Sequence, residues 1–166
     1  MEAMSQKGIR FGKGLQLTNI LRDIPRDLRN GRCYLPSDRL QKLGIKPEDL
    51  LHASTLPTLR PLLNEYLDRA LAHLDVGWEY TMAIPRRLPR LRLACIWPIW
   101  IGLETLGKIR HHPELLNAGV TVKVPRDEIY KLMVRSTAMS LSDTALNRRY
   151  AKLRAGVRCF PSDALP

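Results

Sequence analysis

Apolar residues recur at threes and fours along much of the chain, and that spacing places its elements. Phe11, Leu15, Ile20, Leu21, Ile24 and Leu28 predict a helix over residues 8–28, with a polar stripe beside its apolar face. Pro25 removes one backbone hydrogen bond and crowds the carbonyl of Leu21, so a kink or loosened turn is expected there. Asn30 and Gly31 then read as a turn with an extended exit to Pro36. Ser37 can cap a short helix ending at Gly44, and Pro47 opens a further helical turn over residues 46–51. From Leu59 through Leu62, Leu63, Tyr66, Leu67, Ala70, Leu71 and Leu74 the pattern predicts a long amphipathic helix towards Tyr80, stopped by Pro85. Residues 89–110 are hydrophobic on more than one face, which places that helix centrally. "HHPELLNAGVTVKV" reads as a connecting loop. Pro125 then serves as the first residue of a last helix towards Arg149, with Asp127 and Glu128 suited to its positive N-terminus. No strand run is longer than "VTVKV", so the predicted class is all-α.

Composition narrows the function classes. At 166 residues, with 45% apolar and 26% charged residues, the chain has the size and balance of one folded domain, unlike a disordered tail or a membrane protein. The longest uncharged run, "LACIWPIWIGL", is well short of the ~20 apolar residues of a spanning helix and has Pro98 at its middle; it reads as a buried helix. The opening "MEAMSQKGIRFGKG" has no secretory pattern, and a cytoplasmic chain is expected. Cys33, Cys95 and Cys159 are odd in number and widely spaced, which argues against a disulfide framework or zinc site and for idle thiols.

The net charge of +11 calls for a polyanionic partner: nucleic acid, an anionic membrane surface, or the phosphates of a small substrate. "PRRLPRLR" and "NRRYAKLR" are local basic clusters. They are accompanied by no recognised nucleic-acid motif and form no single stripe, so nucleic acid is not the expected partner.

The polar stripe of the first helix carries the candidate chemistry. Gln16, Asn19, Asp23 and Asp27 stand at relative positions 0, 3, 7 and 11, within one narrow stripe of a helix. Two carboxylates four residues apart project to one side and can share a hard cation. Magnesium suits such a pair because it takes oxygen ligands and is commonly completed by substrate phosphates; Asn19 can add a carbonyl oxygen. Spacing alone is equally compatible with a solvated face of local Asp–Arg pairs worth ~0.3–0.5 kcal/mol each.

The whole string decides more than the spacing. "QLTNILRDIPRDLRNGRCYLP" resembles the second aspartate-rich motif of the squalene and phytoene synthase family, the head-to-head prenyl transferases, in which Q-x-x-N-x-x-R-D-x-x-x-D-x-x-x-G-R-x-Y-x-P recurs. Gln16, Asn19, Arg22, Asp23, Asp27, Gly31, Arg32, Tyr34 and Pro36 fill every position. The likeness continues through "AIPRRLPRLRLAC", and "VKVPR" is similar to a late basic segment of squalene synthases.

The resemblance implies an isoprenoid-synthase-like helical bundle, with residues 1–156 as its C-terminal part and residues 157–166 as a disordered tail. An earlier half would carry a first aspartate motif on a facing helix. The expectation is therefore a chain supplying one wall of the cavity, with Met1 as an internal start. The resemblance also implies Mg2+ held by Asn19, Asp23 and Asp27, and catalytic roles for Asp23, Asp27 and Tyr34. Gln16, Asn19, Arg22, Arg32, Lys123 and Arg126 would bind substrate, the arginines because guanidinium groups match phosphate oxygens.

The implied substrate is a prenyl diphosphate, farnesyl diphosphate first, with phytoene-type condensation second. NADPH would be consumed if squalene forms, and the apolar product implies peripheral membrane contact. Two alternatives stay open: Tyr34 as a half-buried tyrosine with a backbone partner, and the chain as a non-catalytic binding remnant. His111 and His112 read as a helix C-terminal pair, and Trp97 and Trp100 as core.

Overall fold

The computed structural model describes residues 2–117 and 120–158, and every regular element among them is helical, as the all-α pattern requires. Helix α1 spans Glu2–Arg29 and α2 Ser37–Lys42; two 3-10 turns, Pro47–Leu51 and Ala53–Thr55, lead into α3, Leu56–Met82. Then follow α4, Pro89–His111, α5, Arg126–Met139, and α6, Asp143–Arg158.

The apolar spacing becomes the core. On α3, Leu59, Leu62, Leu63, Tyr66, Leu67, Ala70, Leu71 and Leu74 are all buried. Helix α4 packs against α1, α3, α5 and α6, the central place its two-sided hydrophobicity predicts. Trp100 is fully buried, and Trp97 is half-buried with its Nε1 donating to Ser136 Oγ at 2.8 Å.

Helix α1 lies along α3 at a separation that glycine sets. A Cβ on Gly14 would stand 3.0 Å from Leu74 Cδ2 and 3.1 Å from the Leu74 backbone nitrogen; one on Gly77 would meet the Phe11 ring at 2.8 Å. These contacts hold the motif-bearing helix against the bundle and fix which face it turns outward.

Polar ties secure the ends. Arg60 of α3 donates to the carbonyls of Ile109, Arg110 and His112 at 3.4, 3.2 and 2.7 Å, closing the C-terminus of α4. On α6, the Tyr150 hydroxyl donates to Asp75 of α3, and Arg154 donates to both oxygens of that carboxylate at 2.7 and 2.9 Å.

Several boundaries differ from the sequence reading. Helix α1 begins at Glu2, ahead of residue 8, and Lys7 ties this early part to Glu79 at 2.9 Å. Its other end, at Arg29 with the buried Pro25 inside the helix, agrees with the expected residue 28 to within one position. The single last helix is two: Ser140 ends α5, and Ser142 accepts the backbone N–H of Ala145 at 3.3 Å to start α6, so a serine cap divides what apolar spacing alone joins. Pro125 stands just before α5 rather than at its first position. Helix α6 runs through the buried Val157 to Arg158; Cys159 and the rest of the expected tail lie outside the described residues. Among the described residues no helix is long and apolar enough to cross a membrane.

Candidate functional site

The continuous helix α1 carries the polar stripe, and its C-terminal turns face the segment joining α4 to α5. Between them lies a cavity of about 700 Å3. Arg22 and Asp23 line it from α1, with Lys123 and Arg126 opposite. Four of the predicted site residues, separated by a hundred positions in sequence, are therefore brought to one space. Arg26 and Arg29 join them from α1, while Ile101, Val122 and Ile129 supply apolar wall.

Asp23 is gripped by its neighbour. Arg22 Nε donates to Oδ1 at 2.9 Å and Nη2 to Oδ2 at 2.6 Å, a two-pronged pair on a half-buried surface. The Arg22 hydrogen bond holds the Asp23 carboxyl below its ordinary value against the opposing effect of burial; Arg26 and Lys123 add attraction. Arg22 is raised in turn, chiefly by its hydrogen bond to Asp23, with Asp27 contributing.

The other predicted residues are placed elsewhere. Asp27, Arg32 and Tyr34 surround a separate small hollow of about 10 Å3, with Ile24 and Leu35 beside them. Positive φ at Gly31, 72°, makes the reversal that returns Arg32 and Tyr34 to the end of α1, and the Arg32 N–H donates to the Asp27 carbonyl at 2.8 Å. Tyr34 is 53% exposed and makes no side-chain hydrogen bond among the described residues, which does not match the half-buried tyrosine of the alternative reading. Gln16 and Asn19 are exposed earlier on α1 and line neither space.

Arg26 and Arg29 escaped the sequence reading, although Arg22, Arg26 and Arg29 are spaced four and three apart and so share a helix face. That phase was the available signal. Cys33 and Cys95 are free thiols, and burial pushes Cys95 up.

Asp23 and Asp27 are partly exposed hard oxygen donors on one helix, four residues apart, which fits a small divalent cation. Among the described residues no group of three His, Cys, Asp or Glu side chains gathers to hold a metal, so the remaining ligands would have to be water and phosphate oxygens.

Comparison with known proteins adds independent findings. Phytoene synthase 1, chloroplastic, of Arabidopsis thaliana is 32% identical over 108 residues, covering 65% of this chain and 24% of that protein. The 15-cis-phytoene synthase of Synechococcus elongatus is 32% identical over 105 residues, 63% of this chain and 32% of its own length. Presqualene diphosphate synthase of Rhodopseudomonas palustris is 42% identical over 78 residues, 47% of this chain and 28% of that protein. The chain thus spans about a quarter to a third of the length of these relatives. The family model described as squalene/phytoene synthase matches residues 2–128, which takes in α1 to α4 and the Lys123 segment facing them, and the chain belongs to the squalene/phytoene synthase family.

Proposed function

We propose that this chain supplies the diphosphate-binding wall of a head-to-head prenyl transferase. The observation that carries the reading is the single cavity shared by Asp23, Arg22, Arg26, Lys123 and Arg126. Arg26, Lys123 and Arg126 are the groups assigned to diphosphate oxygens. Asp23 and Asp27, with Asn19, are assigned to magnesium. When bound there, the ion supplies Lewis-acid stabilisation of the departing diphosphate.

The chain's own residues do the rest of the work at this wall. The cationic side chains hold the diphosphate oxygens and offset negative charge as the allylic carbon–oxygen bond breaks. Ile101, Val122 and Ile129 keep water from the electron-poor allylic carbon, so that the double bond of a second prenyl diphosphate attacks it; loss of one proton from the attacked carbon to the departed diphosphate then closes a cyclopropane. Tyr34 and Arg32 are assigned to the second aspartate, Asp27, where they can orient a phosphate oxygen.

Farnesyl diphosphate is the proposed substrate, and NADPH is a co-substrate only if the product is reduced to squalene. The relatives' names point both ways, to phytoene and to presqualene diphosphate. A second reading, in which the chain binds diphosphate without turnover, is favoured by the one aspartate-bearing helix of this pattern among the described residues.

Calorimetric titration with inorganic diphosphate, with and without magnesium, tests the site. The expected result is magnesium-dependent binding that falls at least tenfold in Asp23→Asn and severalfold in Arg26→Ala. Binding indifferent to magnesium and to both substitutions would overturn the assignment. Product analysis with farnesyl or geranylgeranyl diphosphate, with and without NADPH, then separates turnover from binding alone and one product class from the other.

A further inference from the structure

The basic run "PRRLPRLR" contributes nothing to the diphosphate site and sits at the other end of the bundle. Helix α5 runs back along α4, since Trp97 meets Ser136 and Lys108 meets Glu128. The turn between α3 and α4 and the junction between α5 and α6 therefore come together at the start of α4. Asp143 fastens the two corners, accepting from Arg86 Nε at 2.8 Å and from Nη2 of the buried Arg92 at 2.7 Å. The diphosphate site takes Ile101 and Thr105 from α4, about 15–20 Å along that helix from Leu91.

Three leucines are left in water at this end: Leu88 is 44% exposed, Leu91 51% and Leu141 80%. The backbone fixes the first of them. The Leu88 N–H donates to the Pro85 carbonyl at 3.0 Å and Pro89 opens α4 directly after it, so two prolines bracket the turn. Arg87 and Arg90 stand beside the leucines, exposed and without an ion pair among the described residues. Asp143, the carboxylate joining the corners, is already engaged by Arg86 and Arg92. Single exposed leucines are ordinary, but three at one end, rimmed by cations without carboxylate partners, mark an interaction surface.

We propose that this end of the bundle docks on an anionic lipid bilayer. Leu88, Leu91 and Leu141 enter the boundary between headgroups and acyl chains, and Arg87 and Arg90 meet the lipid phosphates and carboxylates. Charge complementarity argues for this occupant: the chain carries +11, and the unpaired cations surround the leucines. The leucines come from two separate corners, which a flat lipid surface meets at once, whereas one bound peptide segment would have to span both. The apolar product is a reason for membrane contact; this end supplies the surface, and it does not depend on the diphosphate assignment.

Flotation of the whole chain with vesicles tests the surface. It is expected with equal parts phosphatidylcholine and phosphatidylserine, to weaken as salt rises, and to be absent with phosphatidylcholine alone. Leu88→Ser and Arg90→Glu should each weaken binding at least fivefold. Both should keep wild-type helicity, because Leu88 is the N-cap of α4, where serine is favoured, and a glutamate at 90 suits the positive helix start. Lys13→Glu makes the same change in net charge on α1, about two turns from the end of α3, and should weaken binding less than twofold.

No flotation, equal flotation with neutral vesicles, or an effect of Lys13→Glu as large as that of Arg90→Glu would each overturn the proposal. So would flotation unchanged in Leu88→Ser; if polyglutamate then binds as tightly as the vesicles and needs Arg90, the surface belongs to an acidic protein partner instead. Flotation without magnesium-dependent diphosphate binding would sink the proposed function and leave this surface standing, and diphosphate binding without flotation would do the reverse.

Discussion

Asp23 and Arg22 are sequence neighbours whose side chains close on each other, and this pair sets the charge state at the mouth of the cavity. Part of the pair is exposed, so its contribution to stability is small, about 1 kcal/mol or less. Arg22→Gln should therefore leave the melting temperature within a few degrees of wild type while the Asp23 carboxyl titrates closer to its ordinary value, as read by carboxyl NMR; an unmoved titration would show that Arg26 and Lys123 alone hold it down.

Two features of the site were legible before any coordinates. The oxygen-bearing residues stood out through their helical spacing, and the arginines and tyrosine through the family string. The meeting of Arg22 and Asp23 with Lys123 and Arg126 depends on how the segment after α4 folds back, which local periodicity does not encode.

At the scale of elements, the strongly periodic α3 and α4 were readable because each buries a long leucine- and isoleucine-rich face. The first turns of α1 were not, since residues 2–6 are exposed and carry no apolar period. The division between α5 and α6 was hidden for a different reason: one serine hydroxyl makes it, and Leu141 at the junction is 80% exposed.

The close approach of α1 to α3 was equally silent in the sequence, because a glycine within a helix ordinarily signals only weakened helix. Here Gly14 is a contact surface. Gly14→Ala should gain up to about 1 kcal/mol in helix propensity. It must also push against Leu74 and its backbone, an overpacking cost of about 1–3 kcal/mol. The net expectation is lower stability in urea unfolding together with weaker diphosphate binding; a stabilised variant would show that α1 can slide without cost.

At the scale of the whole molecule, α6 is locked to α3 by charge as well as packing. Burial pushes Asp75 up, but hydrogen bonds from Arg154 and Tyr150 outweigh it, so its carboxyl sits below the ordinary 3.8. A depressed carboxyl pKa means that the unfolded chain takes up the proton first. The stabilisation is then fully present above the unfolded-state value near 3.8 and is lost as pH falls through that value towards the folded one. Urea unfolding from pH 7 to pH 3 should accordingly find wild type more stable than Asp75→Asn at neutral pH, with the gap shrinking below about pH 4. A gap constant over that range would place the stabilisation in neutral hydrogen bonds.

Trp78 of α3 is flanked by the ring of Tyr150 on α6, 4.5 Å away and tilted by 5°, and by Trp100 of α4 at 6.2 Å. Aromatic rings this close couple their electronic transitions, and the coupling vanishes once they part. The bundle consequently contains its own optical gauge: the ultraviolet circular dichroism of three neighbouring chromophores reports, without any attached dye, whether three separate helices are seated together.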